Sequence, residues 1–187
     1  MKVLLVQNDV HSPKLLEKFF SAEEVTVIPW DGFKSIDTSL FDFAVLSGSS
    51  RAPVVGNENE LRDELNFIRQ STIPILGICY GFELIVTAFG GTLKRMAEKE
   101  QGVLTVEILL ADPIFRGIES LFVYEGHRWI ANSLPDTLIP LARSAHGIEA
   151  IKHRERCIYG FQFHPEKLER ETEGRKILEN FISLIRI

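Results

Sequence analysis

Cysteine is scarce in this sequence: Cys79 and Cys157 are the only two in 187 residues. Two cysteines exclude a disulfide framework, and without C-x-x-C spacing they argue against a zinc finger or ribbon. A basic excess is missing too. The 21 Lys and Arg are outnumbered by 26 Asp and Glu, for a net charge of −5 and a pI near 5.6. That balance excludes a general nucleic-acid binder while leaving small anionic ligands open. The opening "MKVLLVQNDV" offers one short apolar stretch, too short for a signal-peptide core or a membrane span. No repeat, low-complexity segment, linker or P-loop pattern is present. These absences lead to the expectation of a soluble, cytoplasmic chain with no metal or cofactor. With 45% hydrophobic and 25% charged residues, residues 1–187 are expected to form one globular domain.

What is present alternates. "KVLLVQ" (2–7), "EVTVIP" (24–29), "FDFAVLSG" (41–48) and "IPILGIC" (73–79) read as short buried strands. "NDVHS" (8–12) reads as a polar loop, and "PKLLEKFFS" carries Pro at a helix start. "ENELRDELNFIRQ" (58–70) predicts a helix with Leu61, Leu65 and Ile68 on one face. "YGFELIVTAFGG" predicts another, ended by Gly90 and Gly91. Apolar strands between amphipathic helices imply a mostly parallel sheet covered on both faces. After residue 91 the pattern changes to closely spaced strand candidates, "GVLTVEILL", "SLFVYEGH", "TLIPLARS", "GIEAIKH" and "CIYGFQFH", with a helical turn near 113–117. "ERETEGRKILENFISLI" closes as a helix with Ile177, Phe181 and Leu184 inward. The fold class expected is α/β in three layers, with an additional antiparallel region in the second half.

"PILGICYGFE" (74–83) places Cys79 between two glycines where a strand gives way to a helix. A G-x-nucleophile-x-G turn is sharp and strained, so residues two positions away must lack side chains; Gly77 and Gly81 meet that demand. The helix N-terminus is expected to favour the Cys79 thiolate, and the Tyr80 amide could donate to an oxyanion. An isolated cysteine is otherwise commonly a small buried core residue. A second constellation, "YGFQFHPE" (159–166), ends an apolar strand in His164, Pro165 and Glu166. In an extended segment residues 164 and 166 share a side, so Glu166 could fix the His164 tautomer and leave the other nitrogen as a base.

"GICYG" and "GFQFHPE", in this order and spacing, resemble the class I (triad) glutamine amidotransferases across essentially the whole chain. "FAVLSG" is similar to that family's oxyanion-loop strand and "VYEGHRW" to its glutamine-pocket strand. "IEAIKHRERCIYGFQFHPE" looks most like the glutaminase subunit or domain of GMP synthetase. The resemblance implies a flavodoxin-like three-layer fold and hydrolysis of the side-chain amide of L-glutamine. Cys79 would attack, His164 would move the proton, Glu166 would orient His164, and the amides of Gly48 and Tyr80 would hold the oxyanion. It implies substrate contacts from Glu83, His127, Arg128 and Trp129. With no room for a synthetase domain in 187 residues, it also implies a partner synthetase that receives ammonia.

The sequence departs from the family pattern at three places. Glu83 stands where G-x-C-x-G-x-Q has Gln; either Arg128 or the substrate ammonium compensates it, or it faces solvent on the first helical turn. "SGSS" (47–50) replaces S/P-G-G-P, and G-H-R-W replaces S-H-G-D, which leaves acceptors other than XMP open. Two other readings stand beside the amidotransferase: a hydrolase of γ-glutamyl compounds using the same triad, and a non-catalytic regulatory module. His11, His146 and His153 read as surface or satisfied histidines, and "KHRER" (152–156) as a solvated hairpin tip.

Overall fold

A computed structural model describes residues 1–9, 13–167 and 171–186. His11, the end of the loop expected at 8–12, and positions 169–170 of the expected final helix lie outside the described residues. The strands are β1 (Lys2–Gln7), β2 (Glu24–Pro29), β3 (Phe43–Leu46), β4 (Ile75–Ile78), β5 (Thr92–Ile108), β6 (Leu121–Ser133), β7 (Leu138–Arg143), β8 (Ile148–His153) and β9 (Ile158–Phe161). The helices are α1 (Lys14–Phe19), α2 (Arg62–Gln70), α3 (Tyr80–Ala88) and α4 (Gly174–Ile185).

All nine strands join one sheet in the order β2-β1-β3-β4-β9-β8-β7-β5-β6. The block β2-β1-β3-β4-β9 is parallel, with the strand order of a flavodoxin-like domain. From β9 onward the sheet continues antiparallel. The alternation of side chains along β1 explains why the parallel block must be covered twice. Val3 and Leu5 belong to one apolar cluster, Leu4 and Val6 to another. The first cluster is completed by Leu16 and Phe20 at α1 and by Ile177, Leu178 and Phe181 of α4. Leu65 and Ile68 of α2 with Phe82 and Ile85 of α3 complete the second. The result is a helix–sheet–helix sandwich.

The structure differs from the sequence reading where the hydrophobic pattern is silent. Residues 92–101 were not expected as strand, yet they form the first half of β5. Their sequence, "TLKRMAEKEQ", is mostly polar and largely exposed, so no period marks it; the ladder to β6 holds it, with a register break between Arg95 and Glu100. The helix expected from residue 58 starts at Arg62, because residues 58–61 form a turn. Strand β9 stops at Phe161, so the H-P-E segment lies beyond the sheet in a turn, where the Lys167 amide donates to the His164 carbonyl at 3.2 Å. Leu184 is half-buried, whereas Ile177 and Phe181 are fully buried.

The Phe181 ring lies edge-on to Phe43, 5.8 Å between centroids, at the centre of the first cluster. Phe181→Ala is expected to destabilise the chain by about 3–5 kcal/mol. Urea unfolding checks this through a lower midpoint at unchanged slope.

Candidate active site

Three segments leaving the carboxyl ends of neighbouring strands meet at one point, the usual location for a site in such a sheet. They are Ser47 and Gly48 after β3, Cys79 after β4, and His164 after β9. Cys79 has φ 51 and ψ −99 and is the only non-glycine with positive φ among the described residues. Its neighbours explain how that strain is held. A Cβ on Gly77 would lie 2.6 Å from the Gly81 carbonyl oxygen, and one on Gly81 would lie 2.4 Å from the Leu46 carbonyl oxygen. Only bare backbone lets α3 start this close to β3 and β4. The Cys79 amide then donates to the Phe161 carbonyl at 2.7 Å, which ties the turn to the strand leading to His164.

His164 Nδ1 is 2.8 Å from Glu166 Oε1. The adjacency anticipated from an extended segment is present, but the turn at 164–167 produces it. The His164 amide donates to the Tyr124 carbonyl at 2.8 Å, which fixes the backbone against β6. Gly126 of β6 and Gly48 bracket the imidazole: a Cβ would lie 3.3 Å from His164 Nε2 at Gly126 and 3.1 Å from Cε1 at Gly48. Gly48 also adjoins Cys79, 3.6 Å from a Cβ to the Cys79 Cβ. The loop after β3 is braced by Asp9, whose Oδ2 accepts from the Ser50 amide at 2.5 Å and the Ser50 hydroxyl at 2.8 Å. Ser49 keeps a negative φ, so a side chain in place of the family's second Gly imposes no strain here.

The electrostatics overturn one expectation. Burial, and after it the carboxylates of Glu83, Glu166 and Glu125, push the Cys79 thiol well above its ordinary range. The hydrogen bond from the Tyr80 amide pulls the other way and is outweighed. Cys79 therefore rests as a thiol, and the helix N-terminus alone does not yield the thiolate. A proton must leave for the sulfur to become nucleophilic, and the His164 imidazole, which borders the same cleft, is the candidate base.

Two openings flank Cys79. A cleft of about 450 Å³ is bordered by Gly48, Cys79, Gly126, His164 and Glu166. A smaller pocket of about 230 Å³ on the α3 side is bordered by Cys79, Tyr80, Glu83, His127, Arg128 and Trp129. Glu83 does not face solvent: it is 4% exposed, and burial raises its carboxyl to about 8. The group that draws it back down is the Gln162 amide rather than Arg128, which is exposed. His127 borders the pocket, but its ring is committed elsewhere, with Nδ1 2.9 Å from the Trp129 carbonyl and Nε2 facing Glu125.

Several residues escaped the sequence reading. Asp9 and Gly126 act through the chain fold, and no local pattern marks them. Gln162 sits inside the "GFQFHPE" motif and was passed over for the residues after it. Glu100, Glu125 and Glu149 converge on His127; only Glu125, two residues away on the same strand face, carried a sequence signal. Of the other histidines, His146 Nδ1 lies 2.7 Å from Glu100 Oε1 and His153 Nδ1 accepts from the amides of Glu155 and Arg156. The solvated tip expected at 152–156 is shorter: Lys152 and His153 end β8, His153 is buried, and within that segment only Arg154 and Glu155 are exposed, in the irregular turn at 154–157.

Comparison with known proteins places this architecture. The family description "Glutamine amidotransferase class-I" matches residues 11–184. One subunit of the glutamine-hydrolysing GMP synthase from Pyrococcus abyssi is 41% identical over 137 residues, 72% of each chain. The GMP synthase of Thermosipho africanus is 33% identical over 174 residues, 92% of this chain but 33% of that longer protein. A solved structure from Thermoplasma acidophilum, described as a candidate GMP synthase subunit, superposes with a TM-score of 0.87 at 28% identity over all of this chain and 94% of that one. A glutamine amidotransferase from Thermotoga maritima shares the fold, with a TM-score of 0.80 at 19% identity over 99% of this chain and 97% of that one. With its cysteine on a glycine-flanked turn and a histidine–glutamate pair beside it, the chain belongs to the class I glutamine amidotransferase family.

Proposed function

We propose that residues 1–187 form one glutaminase domain that hydrolyses the side-chain amide of L-glutamine and delivers ammonia to a partner synthetase. The observation that carries this reading is the meeting, around Gly48, of the strained Cys79 turn and the His164–Glu166 pair. Glu166 engages Nδ1, so Nε2 of His164 takes the Cys79 proton. The sulfur forms a bond to the amide carbon, and the carbonyl π electrons move to oxygen, where the amides of Gly48 and Tyr80 receive them. Collapse breaks the C–N bond as His164 returns the proton to the departing nitrogen, giving ammonia and a γ-glutamyl thioester. Water, deprotonated by the same imidazole, then splits the thioester into glutamate and free thiol. No metal enters this scheme.

The α3-side pocket takes the amino-acid end of glutamine, with Glu83, Arg128 and Trp129 around it. Partnership with a synthetase is supported by relatives described as separate subunits of GMP synthase, and GMP synthesis is the first pathway to test. A cytoplasmic setting is supported by the two free cysteines and by the lack, among the described residues, of a helix long and apolar enough to cross a membrane. Glu83, where the family has Gln, favours a γ-glutamyl compound as the second reading of the substrate.

Ammonia release from glutamine is expected to fall at least about 10³-fold in Cys79→Ala, and likewise in His164→Ala. A diazo-ketone analogue of glutamine is expected to add to Cys79, as read by peptide mass spectrometry. Labelling only after a synthetase is added identifies a partner-gated glutaminase. Absence of labelling under both conditions overturns the glutaminase reading and leaves the γ-glutamyl hydrolase or the regulatory module.

Glu83 generates a separate test. Its carboxyl is held near 8, so it is neutral below that pH and can donate a hydrogen bond as an amide does. Above it the ionised group only accepts and repels the substrate carboxylate. The ratio of kcat/KM in Glu83→Gln to that of the native chain is expected to be flat below about pH 7 and to rise above about pH 8. A ratio constant across the whole range removes Glu83 from the substrate site.

A further inference from the structure

Behind the catalytic histidine, on the far side of β6, lies a second cluster of chemistry-bearing side chains. Glu100 of β5 is the direct cross-strand partner of His127 on β6, and Glu125 shares that face two residues away. Glu149 of β8 reaches the same point although β7 and β5 intervene in the sheet. Three strand spacings of about 4.8 Å would keep these side chains apart on a flat sheet. The antiparallel half therefore curls and brings His127 Nε2 to 3.0 Å from Glu125 Oε2, 3.6 Å from Glu100 Oε2 and 3.9 Å from Glu149 Oε2. The side chains of Glu100, Glu125, His127 and Glu149 are between 0% and 5% exposed.

The hydrogen bonds around the cluster make it more than a crowd of acids. Glu100 commits Oε1 to His146 Nδ1, and Glu149 commits Oε1 to the Ser144 hydroxyl, each at 2.7 Å. His127 Nδ1 sits 2.9 Å from the Trp129 carbonyl, which can only accept, so Nδ1 carries the hydrogen. The remaining atoms, Glu100 Oε2, Glu149 Oε2, both Glu125 oxygens and His127 Nε2, are buried, turned inward, and have no hydrogen-bond partner. In the neutral ring an imidazole lone pair thus faces three carboxyl groups with nothing positive between them. Metal-binding histidines show this arrangement, with the outer nitrogen pinned to a carbonyl and the carboxylates held by outer hydrogen bonds.

The geometry points to a divalent metal site, of the zinc class, formed by His127, Glu100 and Glu149, with Glu125 beside it. The reactive atoms of Glu100, His127 and Glu149 all lie within 4.8 Å of one another. A tetrahedral zinc with bonds of about 2.0–2.1 Å needs ligand–ligand edges of about 3.3 Å. Glu100 Oε2 at 3.6 Å and Glu149 Oε2 at 3.9 Å from His127 Nε2 lie slightly above that value. One imidazole with carboxylates suits zinc or a neighbouring first-row ion, whereas magnesium and calcium prefer all-oxygen sets. Three protein ligands leave a fourth position, which Glu125, with Oε2 3.0 Å from His127 Nε2, borders. The ion would clamp β5, β6 and β8 next to Gly126, where an added Cβ would lie 3.3 Å from the His164 ring. His146, whose side chain is 57% exposed, sits over Glu100 and marks the way in from solvent.

The test uses the full chain in a Cys79→Ala background, which removes the one buried thiol that could compete for metal. After dialysis against a chelator, zinc titration by calorimetry is expected to show one ion per chain and a higher thermal midpoint. Glu100→Gln and Glu149→Gln preserve shape and are each expected to weaken zinc at least about tenfold. Cobalt(II) in the same site is expected to give a four-coordinate visible spectrum without sulfur charge-transfer bands. A folded chain that binds no zinc at millimolar concentration overturns the proposal and leaves shared protons to hold the cluster. Equal affinity in the two Gln variants, or sulfur bands with cobalt, also overturns it, by placing the ion elsewhere.

Discussion

The contact between bare backbone at Gly77, Gly81 and the Leu46 carbonyl is the constraint on which this structure turns. A residue with a side chain and positive φ stores about 1–3 kcal/mol and persists only where its surroundings over-determine it. Here the surroundings are a helix pressed onto two strands, closer than any side chain would permit. The helix cannot slide back without losing the second apolar cluster, where Phe82, Ile85 and Leu46 pack together. Strain at Cys79 is thus offset by ordinary core burial. The same clamp sets the site's register, because the Cys79 amide hydrogen-bonds to Phe161, three residues before the histidine.

The electrostatic setting is unusual for a nucleophile. Burial acts first against ionisation of the thiol, and Glu83, Glu166 and Glu125 add to it. Such a site is quiet at rest. The sulfur becomes nucleophilic only once a base takes its proton. The oxyanion loop fits the same logic: Asp9 holds Ser50 from outside, and Gly48 lies against both Cys79 and His164, so a small movement there changes both.

The cluster behind β6 connects to this centre through backbone rather than through side-chain contact. Gln162, beside Glu83, donates its backbone amide to the Glu149 carbonyl at 2.9 Å, and Gly126 separates two members of the cluster where an added Cβ would lie 3.3 Å from the His164 ring. Whatever balances the buried acids therefore bears on the floor of the candidate site. The two halves of the sheet divide the work: the parallel block supplies the strained turn, and the antiparallel block supplies the surface against which the imidazole rests.

The sequence by itself determined the parts whose physics is local. Buried strands announce themselves as apolar runs, helices by their period, and the cysteine turn by glycines two residues to either side, because each depends on near neighbours in the chain. "GICYG" and "GFQFHPE" were legible for that reason, and so was the family. Tertiary structure decided the rest. The polar arm at 92–101 became a strand through its partner, not through its own pattern. The ionisation of Cys79 was set by burial and then by carboxylates from three different segments, and that of Glu83 by burial. Long-range electrostatics and the curl of a sheet arise from residues far apart in sequence, so no reading of adjacent letters contains them.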